Sequence, residues 1–282
     1  MPFHESITIL VAGESFTSQW CYMEVPNLEV LILNLMSKTY TLPQFLSRNP
    51  NLKILNITNH GLYPSQFNDF HFITFPHNLT RFRLERVEIS RTILSLRSVQ
   101  NISFIMCKIK NSFKKLITNT ERIWPQLVEI EIDYCQDLVE FPGILCNKVH
   151  LKKISITNCH EMCGFNEEFG DLINLEMLSL RSCTKLEKLP KSIWRLEKLS
   201  VLDISDCLSL SGLPKRMGKL GSLRKIYMTG CTGVHDLPES VEDLFNLHVV
   251  CNEEISYQWR EYSNVEIDLV EEDRLETLIK II

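Results

Sequence analysis

The sequence predicts an α/β solenoid: short parallel strands stacked into a sheet on a concave face, with short helices, 3₁₀ turns and loops on the convex face. Three observations predict it. The first is a fixed repeat of 24 residues, clearest from Leu175 to Leu199 as LxxLxLxxCxxLxxLPxxIxxLxxL and copied from Leu199 and again from Leu223. The second is the alternation inside each xLxLx segment, where one apolar residue in two gives a strand half buried and half solvated. The third is the recurrence of Cys107, Cys135, Cys159, Cys183, Cys207 and Cys231 at one offset of successive units. A unit of this length cannot bury its apolar side alone, so stability comes from contacts between neighbours.

The elements follow in chain order. Residues 1–27 form an opening strand, Ser6 to Ala12, and a link through Pro26. Residues 28–251 are the repeats. They start at Leu28, Leu52, Leu79, Val99 and Leu127, which are 24, 27, 20 and 28 residues apart, so 28–126 is irregular. The surplus leaves the stack as loops, and Asn59–Pro64 and Phe75–Asn78 carry turn chemistry suited to that. From 127 to 251 the period is a regular 24. Within the unit at Leu175, Leu178 and Leu180 point inward while Met177, Ser179 and Arg181 point outward. Leu186 and Leu189 then bring the return arm over the same core. Pro190 stands where a 3₁₀ turn can start, because its fixed φ suits a first turn and its missing N–H is not needed there. The grammar is that of leucine-rich repeats, and the fold class is a leucine-rich-repeat solenoid.

Residues 252–282 read as an acidic C-terminal cap or tail. Trp259 and Tyr262 suit covering the last apolar edge, and Val265–Leu269 alternates like an edge strand whose charges discourage pairing with another chain. Leu275, Leu278, Ile279 and Ile282 read as an amphipathic turn or a trailing end. The net charge of −5 is unevenly spread: residues 251–282 carry −6 and residues 1–250 carry +1. With no basic excess there is no electrostatic footprint for nucleic acid. No run of 18 apolar residues exists and Met1–Ser6 does not read as a signal peptide, so a cytoplasmic chain without membrane insertion is expected.

The cysteine ladder reads as a buried row of thiols acting as small hydrophobes with weak S–H donors to turn carbonyls. Equivalent positions offer no natural pairing for disulfides. Cys159-His160-Glu161-Met162-Cys163 has the residue types of a zinc site, but Cys159 belongs to the ladder and Met162 to the core, so no metal is expected. No cofactor is expected either. A phosphate-binding loop needs Gly-x4-Gly-Lys-Ser/Thr, and around Gly218-Lys219 the first glycine and the hydroxyl positions are Leu213 and Leu220. Serines lack a nucleophile-elbow setting. The sequons at Asn56, Asn78 and Asn101 have no chemical meaning without secretion.

Function is therefore expected on the concave face. The fourth offset of the successive units reads Ile32, Asn56, Arg83, Ser103, Glu131, Ser155, Ser179, Asp203, Tyr227; the sixth reads Asn34, Thr58, Glu85, Ile105, Asp133, Thr157, Arg181, Ser205, Thr229. Arg81, Arg83 and Arg86 form a basic patch, and Glu129, Glu131 and Asp133 an acidic one flanked by Tyr134 and facing Lys153. Paired patches of opposite sign contribute steering and register. Tyr134 and Tyr227 are the affinity anchors, with Arg181 and Asp203 between them. Three carboxylates on one strand also raise acid/base chemistry or a Ca²⁺ site, but no nucleophile, histidine or loop carbonyls accompany them.

Four stretches carry a closer resemblance: Ile57-Thr58-Asn59-His60-Gly61 with Tyr63-Pro64; Ile132-Asp133-Tyr134-Cys135 with Asp137-Leu138; Ile156-Thr157-Asn158-Cys159; and Val250-Cys251-Asn252-Glu253-Glu254 followed by Trp259. With LxxLxLxxC and LPxxIxxLxxL, the chain resembles the C-terminal repeats of plant intracellular immune receptors of the NLR class, and more narrowly the helper group with an RPW8-like N-terminal domain. The resemblance implies a sensing and docking part in defence signalling, with lipase-like immune-signalling heterodimers and a nucleotide-binding domain as partners. ADP or ATP would belong to that nucleotide-binding domain, which these residues do not contain. The alternative is the substrate-recognition repeats of an F-box ubiquitin-ligase adaptor; that needs about 45 helical residues before the repeats, and only 27 precede Leu28.

Overall fold

In each unit two inward aliphatic residues flank one outward residue, and this pattern lays down one strand per repeat. The structure, a computed structural model, describes residues 8–13, 24–68, 75–89, 96–109 and 122–270. Leu275, Leu278, Ile279 and Ile282 lie outside these residues. The strands are β1 (Ile9–Gly13), β2 (Val30–Leu35), β3 (Thr39–Thr41), β4 (Ile54–Asn59), β5 (Ser65–Asn68), β6 (Arg81–Glu85), β7 (Val87–Glu88) and β8 (Asn101–Ile105). They continue with β9 (Glu129–Asp133), β10 (Lys153–Thr157), β11 (Met177–Ser179), β12 (Val201–Asp203), β13 (Lys225–Tyr227), β14 (Leu247–Cys251) and β15 (Val265–Leu269).

Twelve of these make one parallel sheet in the order β1-β2-β4-β6-β8-β9-β10-β11-β12-β13-β14-β15. Its register aligns the fourth offsets without a slip: Ile32, Asn56, Arg83, Ser103, Glu131, Ser155, Ser179, Asp203 and Tyr227 follow one another across the strands. A one-residue slip would turn the aliphatic set to solvent, so the core fixes this phase. Leu178, Leu180, Leu186, Ile193 and Leu196 are all fully buried in that core.

The return side differs between the two halves of the chain. In the regular half, 3₁₀ turns at Glu167–Asp171, Lys191–Arg195, Met217–Lys219 and Glu239–Asp243 stack as the second layer. Pro190 precedes the second of these in extended conformation, φ −62°. In the irregular half the second layer includes a small parallel sheet, β3-β5-β7, which the sequence reading did not anticipate. Asn59–Pro64 leads into β5, with Leu62 and Tyr63 exposed at the bend.

At the C-terminal end the α-helix Glu253–Trp259 follows β14, and β15 pairs with β14 as the last strand. Trp259 is fully buried beneath Tyr262, and its Nε1–H donates to Met228 Sδ at 3.1 Å.

Candidate functional site: the concave face

The strand ends are shaped by a recurrent backbone feature. Arg86, Met106, Tyr134, Asn158, Ser182, Asp206 and Gly230 all have φ between +51° and +74°, and each stands one residue before the cysteine offset. This left-handed residue breaks the strand and turns the chain inward. Its N–H nonetheless reaches the next repeat, as in Tyr134 to the Thr157 carbonyl at 3.1 Å and Asn158 to the Arg181 carbonyl at 2.9 Å. A left-handed conformation costs a side chain with a Cβ about 1–2 kcal/mol, which the stack of repeats must offset. Arg86 and Tyr134 therefore project from turns at the rim, not from strands.

The ladder thiols lie just inside these turns and are buried. Their acceptors are not turn carbonyls of their own repeat alone. Each reaches back to the carbonyl of an inward residue at or just past the strand end of the preceding unit: Cys107 to Leu84, Cys183 to Ile156 at 3.4 Å, Cys207 to Leu180 at 3.1 Å and Cys231 to Ile204 at 2.9 Å. Loss of hydration pushes the Cys107, Cys159, Cys183 and Cys231 thiols up to about 12, and Cys135 and Cys207 higher still. Cys159 and Cys163 donate to carbonyls of different residues, Ile132 and Val139. Among the described residues no group of three or more His, Cys, Asp or Glu is placed to hold a metal ion.

On the concave face an open trough of about 530 Å³ runs from Ile54 to Met177. Arg81 and Arg83 stand on one side and Glu129, Glu131 and Lys153 on the other, with Asn101 and Ser103 between them. Strand spacing of about 4.8 Å separates the two charged strands by roughly 10 Å. Several of the charges are already engaged. Lys153 Nζ meets Glu129 at 2.9 Å, and the hydrogen bond that the ammonium donates to that carboxylate holds its pKa above the ordinary value. Asn101 donates to the other Glu129 oxygen at 2.7 Å, and Arg83 pairs with Glu85 at 3.1 Å. Arg81 and Glu131 make no ion pair or side-chain hydrogen bond to a described residue.

Asp133 departs from its assignment to an open acidic patch. One of its oxygens accepts both the Thr157 hydroxyl at 2.6 Å and the Asn158 side-chain amide at 2.8 Å, so it joins β9 to the next turn. Asp203 is similarly committed, accepting the Ser205 N–H at 3.0 Å and the Ser179 hydroxyl at 3.3 Å. Ser179 is thereby covered, at 6% exposure, although it lies on the solvent side of its strand: a short side chain sinks below its longer neighbours. Arg181 contacts Asp206 at 3.6 Å, and Lys225 lies over the Tyr227 ring at 4.9 Å. Tyr134 is 44% exposed and meets His160 edge-on at 6.2 Å.

The predicted residues thus divide into three sets. Arg81, Arg83, Glu129, Glu131 and Lys153 share the trough; Asp133, bonded to the next repeat, Arg86 and Tyr134 stand at or beside the rim turns; Asp203 and Tyr227 lie further along the sheet, with Arg181 in the turn that follows β11. The sequence reading named Arg81, Glu129 and Lys153 and turned Met177 outward, but it did not single out Asn101 or the continuous second-offset row Arg81, Asn101, Glu129, Lys153, Met177 that supplies much of the trough. Extending the repeat register by two residues toward the N-terminus would have found it.

Sheet, second layer and thiol ladder together define a leucine-rich-repeat protein with an open concave surface. The chain belongs to the leucine-rich repeat region family, whose model matches residues 129–281. It is 40% identical over 157 residues to the probable disease resistance protein At5g66900 of Arabidopsis thaliana, covering 53% of this chain and 19% of that relative. It is 37% identical over 146 residues to disease resistance protein ADR1 of the same plant, covering 51% and 19% respectively. The matched stretch is thus about a fifth of either relative. The fold is shared with the leucine-rich repeat domain of the type III effector XopL, at TM-score 0.69, 20% identity, 86% of this chain and 82% of that one. The Toll–Spatzle complex of Drosophila also superposes, at TM-score 0.59, 14% identity, 93% of this chain and 40% of that one.

Proposed function

We propose that this chain is a non-catalytic protein-interaction module of a plant intracellular immune receptor, acting in defence signalling by docking partner proteins on its concave face. The observation that carries the reading is the trough with Arg81 and Glu131 unengaged on opposite sides. Unpaired charges of opposite sign suit a partner that brings the complementary arrangement, which guides encounter and fixes register. The hydroxyls beside Glu131 in the register are Ser103 and Ser155, and the trough lining contains no histidine or cysteine to activate them. That supports docking over chemistry. The immune setting rests on the disease resistance relatives. The likeness to the helper group favours lipase-like heterodimers and the receptor's own nucleotide-binding domain as partners, inside the cell. No helix among the described residues is long and apolar enough to cross a membrane.

The test is charge reversal at Glu131→Lys and Arg81→Glu, singly and together, followed by affinity capture of the lipase-like heterodimers and of the nucleotide-binding domain. Asp133 is left intact because its reversal would break the bonds to Thr157 and Asn158. Each reversal is expected to slow association and weaken capture at least tenfold, with a loss of salt dependence. Unchanged capture in both single variants and in the double variant would sink the proposal.

A further inference from the structure

We propose that the groove beside Trp194, on the face opposite the trough, is a second docking site that takes an acidic peptide segment of a partner protein with apolar side chains between its carboxylates. The groove encloses about 570 Å³ between the return arms of two successive repeats. Its floor is apolar, formed by Leu189, Leu213 and Pro214. Trp194 is half-buried along one side, with the Arg216 guanidinium 5.2 Å and the Arg195 guanidinium 5.7 Å from its ring centroid.

The rim is cationic to a degree that the rest of the chain does not prepare for. Lys188, Lys191, Lys215 and Arg216 line it, and all four are exposed. Arg195 pairs with Asp171 at 3.3 Å, but none of the four rim cations has a carboxylate partner among the described residues. Lys191 and Lys215 occupy one offset in adjacent units and both line the groove, so the two charges share one rim. The strip is local. The corresponding starts of the 3₁₀ turns on either side are acidic, Glu167 and Glu168 before it and Glu239 after it.

The two halves of the groove select the occupant. A cationic rim attracts carboxylates, while an apolar floor with an aromatic wall is filled only by side chains that leave water. An acidic segment with interspersed apolar residues satisfies both, whereas a nucleic acid or an anionic lipid surface would engage the rim and leave the floor wet. The acidic flanks also repel any extended polyanion that runs across neighbouring repeats, so a short segment fits best. This site is separate from the concave trough, and it can fail while the docking role there stands.

The experiment is a selection of random displayed peptides on the purified chain, run in parallel on Lys191→Glu/Lys215→Glu, on Trp194→Ala and on the control Gly221→Ala, an exposed position outside both sites. Circular dichroism checks that each variant is folded; the two lysines are exposed, so their reversal leaves the core intact. Enrichment of sequences with alternating carboxylate and apolar residues is expected on the parent chain and on Gly221→Ala. Synthetic versions should bind the lysine double variant and the tryptophan variant at least tenfold more weakly. No acidic and apolar enrichment, or equal affinity for the lysine double variant, would overturn the proposal. So would binding of phosphatidylserine vesicles or single-stranded DNA that depends on Lys191 and Lys215 without any peptide enrichment.

Discussion

Cys207 donates its S–H to the carbonyl of Leu180, 3.1 Å away and one repeat earlier, while the same carbonyl also accepts the Cys183 N–H at 3.2 Å. The thiol thus joins two units at the point where each strand ends. Removing it takes away a small buried group and leaves a gap beside a carbonyl. Cys207→Ala is expected to lower stability by about 1–2 kcal/mol, read as a shift in urea midpoint at unchanged slope.

The same burial sets a dependence on pH. The folded chain holds the Cys107, Cys159, Cys183 and Cys231 protons up to about 12, against an ordinary thiol value of 9.0. Between those values the unfolded chain has lost protons that the folded chain keeps, so stability falls as pH rises. The contribution is complete below pH 9 and disappears as pH climbs toward 12. Urea midpoints are expected to be level from pH 7 to 8.5 and to drop above pH 9, with a shallower drop in Cys183→Ala. A parallel drop in parent and variant would show that the thiols do not carry it.

The phase of the strands is checked at three consecutive residues. Leu180 is fully buried, Ser179 is covered through its bond to Asp203, and Arg181 is exposed. Leu180→Ala is expected to cost about 2–5 kcal/mol, Ser179→Ala about 0.5–1.5 kcal/mol, and Arg181→Ala less than about 0.5 kcal/mol. Thermal or urea unfolding of the three variants measures the order.

The sheet and its inward residues were legible because the repeat fixes them: one aliphatic pattern, copied at 24 residues, leaves a single phase that buries Leu178, Leu202 and Ile226 together. The left-handed turn before each cysteine was harder to see. Asn158, Asp206 and Gly230 suit that conformation, but Arg86, Met106 and Tyr134 do not, and only stacking forces them into it. Asp133 shows the other limit. A strand carboxylate looks free in sequence, and whether it faces a partner or its own neighbours depends on the Thr157 and Asn158 side chains one repeat away. The β3-β5-β7 sheet was hidden for a related reason, since the irregular spacing of the first units gives no period from which to place a second layer.

Glycine supplies a test of the second layer. A Cβ on Gly218 would clash with the Ser240 carbonyl oxygen and lie 2.8 Å from Asp243 Cβ, whereas one on Gly221 would meet nothing within 4 Å. The two positions are three residues apart, so propensity alone would treat them alike. Gly218→Ala is expected to destabilise by about 1–3 kcal/mol through forced separation of the 3₁₀ turns. Gly221→Ala should change stability by less than about 0.5 kcal/mol. Differential scanning calorimetry on the pair distinguishes close packing from a loosely stacked return side.

Trp259 closes the C-terminal end of the stack. Its ring is fully buried, its Nε1–H reaches Met228 of the unit two strands before β15, and the helix that bears it ends with Arg260 bonded to Glu253 at 2.7 Å. Among the described residues no further 24-residue unit follows β14, and this side chain covers the apolar edge there. Trp259→Ala is expected to cost about 3–5 kcal/mol. Because each repeat contacts mainly its neighbours, the loss should be felt first in β13, β14 and β15. Hydrogen exchange is expected to show faster exchange in residues 225–269 with near-parent protection in residues 129–179. Uniform acceleration along the whole sheet would mean that the solenoid unfolds as one cooperative unit and that the cap stabilises every repeat equally.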